Sequence, residues 1–235
     1  MAKFIIQGDR RIHGSIAVAG AKNHALKMFA AALLTRQPVL LKNVPEIEDV
    51  FRLQEILEQI GVRVHHTGHG RYAIDASQIR STILPHNLVP KLRASILLAG
   101  PLLARFGRVT LPHPGGCAIG KRPINVFIDA FKAMGAQHSY ARGIHTFTAK
   151  HGLRGARYVF PVISVTGTET VILAAVLARG ITRIENAARE PEIKALGHFL
   201  NTTGAKITGA GTSTITIRGV KRLRGGSATV IPDRI

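Results

Sequence analysis

What most constrains this chain is a pattern that recurs three times at a spacing of about 70 residues. In each copy an apolar helix ends in Leu-Leu or Val-Leu, followed by a short strand and an irregular loop. A second helix closed by glycine comes next, then a hairpin. The first copy runs through Ala31-Ala32-Leu33-Leu34, Val39-Leu40-Leu41, a helix predicted over 47–60, and Gly61. The second runs through Gly100-Pro101-Leu102-Leu103, Arg108-Val109-Thr110-Leu111, a helix over 124–134, and Gly135. The third runs through Ala174-Ala175-Val176-Leu177, Ile181-Thr182-Arg183-Ile184, a helix over 192–203, and Gly204. Each second helix has one apolar face: Val50, Leu53, Leu57 and Ile60; Ile124, Phe127, Phe131 and Met134; Ile193, Leu196 and Leu200. The closing glycines fit C-terminal caps. Hairpin strands alternate as half-buried strands do, as in Val62-Arg63-Val64 with Tyr72-Ala73-Ile74. A unit of this length is too long for a solenoid. The expectation is one α/β domain over residues 22–230, built from three βαβαββ-type units inside out, with shared helices inside and sheets outside.

Ahead of it, residues 4–20 read as two short strands, Phe4-Ile5-Ile6 and Gly14-Ser15-Ile16-Ala17-Val18, around a basic turn. Gly20 to Asn23 open a long apolar helix reaching about Leu34, with Asn23 a candidate N-cap. Lys22 at that junction sets a cation beside free backbone N–H groups, a natural anion site. Hydrophobic content of 46% with 5% aromatic and no Trp fits an aliphatic core. The single cysteine excludes an internal disulfide and fits a reducing compartment. The apolar run in Met1–Asp9 is too short for a signal peptide, and no stretch approaches the ~20 apolar residues of a membrane span. A cytoplasmic protein is expected. Thirty-two Lys and Arg against thirteen Asp and Glu leave a net charge of +19, suited to anionic ligands, nucleic acid or acidic membranes. The cations are dispersed and few aromatics lie among them to stack on bases. That favours a generally basic surface over a specific nucleic-acid site.

The chemistry concentrates in Pro114-Gly115-Gly116-Cys117-Ala118-Ile119-Gly120-Lys121-Arg122-Pro123. A lone cysteine is commonly a small buried hydrophobe. Here glycines let the backbone approach a ligand closely, and Lys121 and Arg122 favour a reactive thiolate and attract anions.

This run, with Arg93-Ala94-Ser95-Ile96-Leu97 and Gly100-Pro101-Leu102-Leu103-Ala104-Arg105-Phe106-Gly107, resembles the UDP-N-acetylglucosamine enolpyruvyl transferases. Gly20-Ala21-Lys22-Asn23, Asn43-Val44-Pro45, Glu185-Asn186-Ala187-Ala188-Arg189-Glu190-Pro191-Glu192 and Pro232-Asp233-Arg234-Ile235 agree with it. The resemblance implies a cytoplasmic enzyme of the first committed peptidoglycan step, serving cell shape and division, and the family's inside-out α/β fold. It implies addition–elimination: the sugar 3′-hydroxyl attacks C2 of phosphoenolpyruvate, C3 is protonated, and phosphate leaves. Cys117 matches the proton donor and the thiol alkylated by fosfomycin. Lys22, Asn23 and Arg122 match phosphoenolpyruvate-binding positions. Arg93, Arg122, Pro123, Ile124, Asn125, Val126, Ser164 and Val165 match the UDP-N-acetylglucosamine side. Departures cluster there: Asn125 stands for Asp, Phe127 for His, Val162 for a cation and Thr166 for Gly. In the opening motif His24 and Lys27 replace Ala and Pro. The resemblance also gives residues 1–21 to a second domain, makes 231–235 the start of the linker to it, and puts this sequence at about half the family's length. Activity of the chain alone is therefore expected to be poor without a second-domain polypeptide or a homo-oligomer that rebuilds the cleft.

No cofactor and no metal is expected. His65-His66-x-x-His69 spans a hairpin turn and lacks a fourth ligand, and no phosphate-loop or GxGxxG pattern appears. Glu190 and Glu192 at a helix start are explained by the helix dipole. Three rival readings stand beside the enzyme: a non-catalytic anion-binding domain, a basic nucleic-acid-associated protein, and the related shikimate-pathway transferase. The Gly-Gly-Cys loop points away from the last.

Overall fold

In the computed structural model, which describes residues 3–9, 11–115 and 124–235, the chain passes three times through one succession of elements. The first pass is α1 (Lys22–Ala32), β1 (Val39–Lys42), α2 (Glu48–Gln59), β2 (Arg63–His66) and β3 (Tyr72–Asp75). The second enters through 3-10 turns at Val89–Lys91 and Arg93–Leu98. It continues with α3 (Ala99–Phe106), β4 (Arg108–Pro112), α4 (Asn125–Ala133), β5 (Gln137–Ala141) and β6 (Ile144–Thr148). The third is β7 (Arg157–Val159), α5 (Val165–Ala175), β8 (Ile181–Glu185), α6 (Pro191–Thr202), β9 (Lys206–Thr208) and β10 (Thr214–Arg218), followed by β11 (Gly226–Thr229).

The three sheets share one strand order: β11-β1-β3-β2, β4-β6-β5 and β7-β8-β10-β9. Hairpin strands pair antiparallel, and the strand after each first helix also takes a parallel neighbour. Val39 of β1 faces Gly226 of β11, and Arg183 of β8 faces Arg157 of β7. In the middle sheet that neighbour shrinks to one parallel bridge, Ile83 to Thr110. Leu84 N–H donates to Thr110 O at 2.8 Å, and Thr110 N–H donates to Thr82 O at 2.9 Å. Because β11 comes last in the chain and pairs with β1, the third unit closes a ring on the first.

Burial explains why the helices lie inside. Residues 24–32 of α1 and 167–175 of α5 are buried without interruption, as a helix without a polar face must be. The others bury one stripe: Val50, Leu53, Ile56 and Leu57 of α2, Phe127, Ala130 and Phe131 of α4, and Ile193, Leu196, Phe199 and Leu200 of α6. Strands alternate, as β1 does with Val39 and Leu41 inward, so each sheet covers helices with one face and meets water with the other. Helix α3 packs on α5, and Gly100 is what lets it: a Cβ there would lie 2.6 Å from the Thr170 carbonyl oxygen.

Two expectations change. Asn23 does not cap α1. The N-cap is Ala21, whose N–H donates to Ile231 O at 2.8 Å, and Gly20 bridges Pro232, so pairing with the chain's far end fixes the helix start two residues earlier. Residues 4–6 and 14–18 carry no strand. Phe4, Ile5, Ile6 and Ile16 are at least 88% exposed, consistent with the marginal stability of a hairpin that has no sheet to join.

Candidate active site at the helix N-termini

Helices α1, α3 and α5 converge at their C-terminal ends, where Leu34, Ala104, Arg105 and Leu177 line one cavity. Their N-terminal ends therefore lie at the other end of the bundle, about 16 Å away along the 11 residues of α1. That end carries Lys22, the first residue of α1; Arg93, the first residue of the 3-10 turn leading into α3; and Ser164, the N-cap of α5. Unpaired N–H groups of helix starts and two cations give it a positive potential that suits anions.

Pro114 and Gly115, which precede the cysteine-bearing residues in sequence, are held at the same end. Arg93 Nη1 donates to Pro114 O at 3.0 Å. Gly115 lies so close to the preceding turn that a Cβ would sit 2.2 Å from Pro90 O, which only glycine permits. On the far side Ile124 is buried at the N-cap of α4, and α4 packs on α5. Residues 116–123 lie outside the described residues, and with them Cys117, Arg122 and Pro123.

The remaining sequence-derived residues divide by burial. Lys22 is half exposed and meets Asp49 Oδ2 at 2.9 Å, a partner the sequence did not suggest. Asn23 and Asn125 are exposed, and Val126 and Val165 half-buried. The Val126 carbonyl accepts from Tyr158 Oη at 3.1 Å. Ser164 already has a task, since its hydroxyl accepts from Gly167 N–H at 3.1 Å. Among the departures, Phe127 is core, 3% exposed, whereas Val162 is 71% exposed. Thr166 occupies the first turn of α5, where its carbonyl accepts from Thr170 Oγ1. His66 of the tested histidine cluster pairs with Glu46 at 3.1 Å and stacks on Tyr72.

Sequence reasoning missed a buried charged group behind this face. Lys27 Nζ of α1 meets Glu169 Oε1 of α5 at 2.5 Å, with side chains 5% and 0% exposed. Glu169 Oε2 has no hydrogen-bond partner. Burial pushes this carboxyl up to about 7, against the pull of Lys27 and with help from Glu192 and Glu190. His24 Nδ1 accepts from Ile231 N–H at 3.1 Å, and burial, then Lys27, lower its pKa to about 4 while Glu192 opposes. Buried Glu192 meets Arg234 at 3.3 Å. The available signal was a charge inside each of two otherwise apolar helices.

Comparison with known proteins follows the same lines. The chain is 47% identical over 242 aligned residues to a UDP-N-acetylglucosamine 1-carboxyvinyltransferase from Novosphingobium aromaticivorans, an alignment covering 100% of this chain and 57% of that protein. The enolpyruvyl transferase NikO from Streptomyces tendae superposes with a TM-score of 0.84 at 24% identity, over 97% of this chain and 54% of that one. An EPSP synthase from Acinetobacter baumannii gives 0.75 at 20% identity, over 93% and 50%. These two likenesses establish the fold. The chain thus spans little more than half of the proteins it matches. A profile of EPSP synthase (3-phosphoshikimate 1-carboxyvinyltransferase) matches residues 6–235, and the chain belongs to that family.

Proposed function

We propose that residues 1–235 are the cysteine-bearing half of an enzyme that transfers the enolpyruvyl group of phosphoenolpyruvate to the 3′-hydroxyl of UDP-N-acetylglucosamine. The observation that carries the reading is that Lys22 and Arg93 stand at the N-terminal end of the helix bundle, where Arg93 also binds the Pro114 carbonyl three residues before Cys117. The identity to a UDP-N-acetylglucosamine 1-carboxyvinyltransferase supports this acceptor over shikimate 3-phosphate.

In the addition step the sugar oxygen bonds to C2 of phosphoenolpyruvate while Cys117 Sγ delivers its proton to C3. Elimination then removes a proton from C3 and releases inorganic phosphate, restoring the double bond on the sugar ether. Lys22 and Arg122 hold the phosphate and carboxylate of phosphoenolpyruvate, and Asn23 flanks them. Arg93, Pro123, Ile124, Asn125, Val126, Ser164 and Val165 face the sugar nucleotide. The Lys22–Asp49 pair does not obstruct this, because an ion pair so exposed contributes about 0–1 kcal/mol and exchanges readily for a phosphate. Cations near Cys117 would by themselves favour thiolate. A bound dianion offsets their field and leaves the thiol protonated for donation. The base for the sugar hydroxyl and further phosphate-binding arginines belong to the second half, supplied by a second domain or polypeptide. On this reading the enzyme works in the cytoplasm at the first committed peptidoglycan step, supporting cell shape and division.

Alkylation of Cys117 tests this. Intact-mass measurement after iodoacetamide or fosfomycin is expected to show one adduct, absent in Cys117→Ser and slowed by phosphoenolpyruvate. A rate equal to that of free cysteine and indifferent to phosphoenolpyruvate would overturn the reading.

A further inference from the structure

The cavity at the other end of the bundle, where the first helices finish, has a volume of about 560 Å³ and four cations on its lining: Arg36, Arg105, Lys221 and Arg222. The end of each first helix carries an arginine in the same sequence register, in Leu33-Leu34-Thr35-Arg36, Leu102-Leu103-Ala104-Arg105 and Val176-Leu177-Ala178-Arg179, with Arg36 and Arg179 just beyond α1 and α5 and Arg105 in the last turn of α3. In the third copy Arg179 turns to His151 O, and Lys221 and Arg222, after β10, supply charge instead.

A basic lining at helix C-termini has an ordinary explanation, since cations complement the dipoles. Arg105 fits it: its Nη1 donates to the carbonyls of Leu33, Thr35 and Ala76 at 2.9, 3.1 and 2.9 Å. The magnitudes leave a surplus. Three helix ends carry roughly −0.5 each, about −1.5 in all, against four positive charges. No Asp or Glu lines the cavity, and Arg36, Lys221 and Arg222 make no hydrogen bond or ion pair among the described residues. Arg36 also repels the part-buried Arg105. Like charges held together without counter-charge are destabilising unless an anion joins them.

The cavity is also rigidly framed. Thr35 is buried, its hydroxyl donating to Leu223 O at 3.2 Å and accepting from Gln37 N–H at 3.0 Å. Gly225 N–H donates to Gln37 Oε1 at 2.8 Å. Leu34, Leu177 and Leu223 supply an apolar floor. A half-open recess with such a floor and exposed cations at the rim fits a small amphiphilic anion better than it fits a flat polyanionic surface.

We propose that this cavity binds a phosphorylated small molecule, its phosphoryl group among Arg36, Lys221 and Arg222 and its apolar part against Leu34, Leu177 and Leu223. Phosphoryl groups also occur on lipids, so the test uses two probes, inorganic pyrophosphate in solution and vesicles containing phosphatidic acid. Calorimetric titration of the 235-residue chain carrying Lys22→Ala with Arg122→Ala, which removes both proposed phosphoenolpyruvate-binding cations from the reaction site, is expected to show saturable pyrophosphate binding. Arg36→Ala with Arg222→Ala in that background is expected to weaken it about tenfold or more, since each removes a charge-assisted contact. Both side chains are exposed and make no hydrogen bond or ion pair among the described residues, so in the absence of anion the thermal midpoint should not fall, and relief of like-charge repulsion should if anything raise it. Arg36→Lys with Arg222→Lys is expected to keep most of the affinity. Pyrophosphate binding unchanged when Arg36→Ala and Arg222→Ala are added, absent once Lys22 and Arg122 are removed, or replaced by binding to vesicles alone would overturn the proposal.

Discussion

At the scale of single residues the Lys27–Glu169 pair has the clearest energetic consequence. Removing one partner of a buried pair strands the other, at about 3–5 kcal/mol. Lys27→Met is therefore expected to destabilise by roughly that amount at pH 8 in urea unfolding. It should cost less at pH 5, where Glu169 takes up a proton. Replacing both by methionine should recover most of the loss, and a double variant no more stable than the single one would contradict the pairing. The two shifted groups also act oppositely on pH dependence. Glu169 sits at about 7 instead of 4.5, so the folded state holds its proton more tightly and stability falls as pH rises through that window. His24 sits at about 4 instead of 6.5, so its contribution is present above 6.5 and lost as pH falls toward 4. Between pH 4.5 and 6.5 the slopes offset each other. His24→Asn is expected to unmask a decline of stability with rising pH there, and an unchanged profile would count against it. His24 and Lys27 stood out in the sequence as departures. Their partners did not, because Glu169 and Ile231 come from a different unit of the fold and no local pattern links them.

At the scale of elements, the glycines separate two kinds of constraint. Gly135 has φ +88° and open space where a Cβ would go. Gly135→Ala should cost about 1–2 kcal/mol of left-handed strain, part of which Gly135→Asn regains. Gly100→Ala pushes a methyl into the Thr170 carbonyl and should cost about 1–3 kcal/mol through overpacking, with no relief from asparagine. Equal responses of the two sites in thermal unfolding would contradict this distinction. The first kind was legible: Gly61, Gly135 and Gly204 all take positive φ, at 97°, 88° and 106°, as closing glycines should. Hairpins and amphipathic second helices were legible too, because their periodicity is local. The start of α1 was not, since Ala21 is fixed by Ile231.

Over the whole molecule, the threefold repeat predicted the three units, but not what joins them. The parallel edges at β7, β11 and Ile83 are non-local pairings without a sequence period, and β11 closes the ring only by returning to β1. The same closure explains why first helices share a direction, setting Lys22 and Arg93 at one end and a second basic recess at the other. The proposed enolpyruvyl-transfer half-site lies at the first of these ends, and phosphate release from phosphoenolpyruvate tests it. Residues 1–235 alone are expected to release little, because an open face lets water screen the charges. Combined with a polypeptide carrying the second half of a UDP-N-acetylglucosamine 1-carboxyvinyltransferase, they should release phosphate only when UDP-N-acetylglucosamine is present. Cys117→Ser should lower that rate about 10²–10⁴-fold. Release driven by shikimate 3-phosphate instead, or undiminished in Cys117→Ser, would contradict the account.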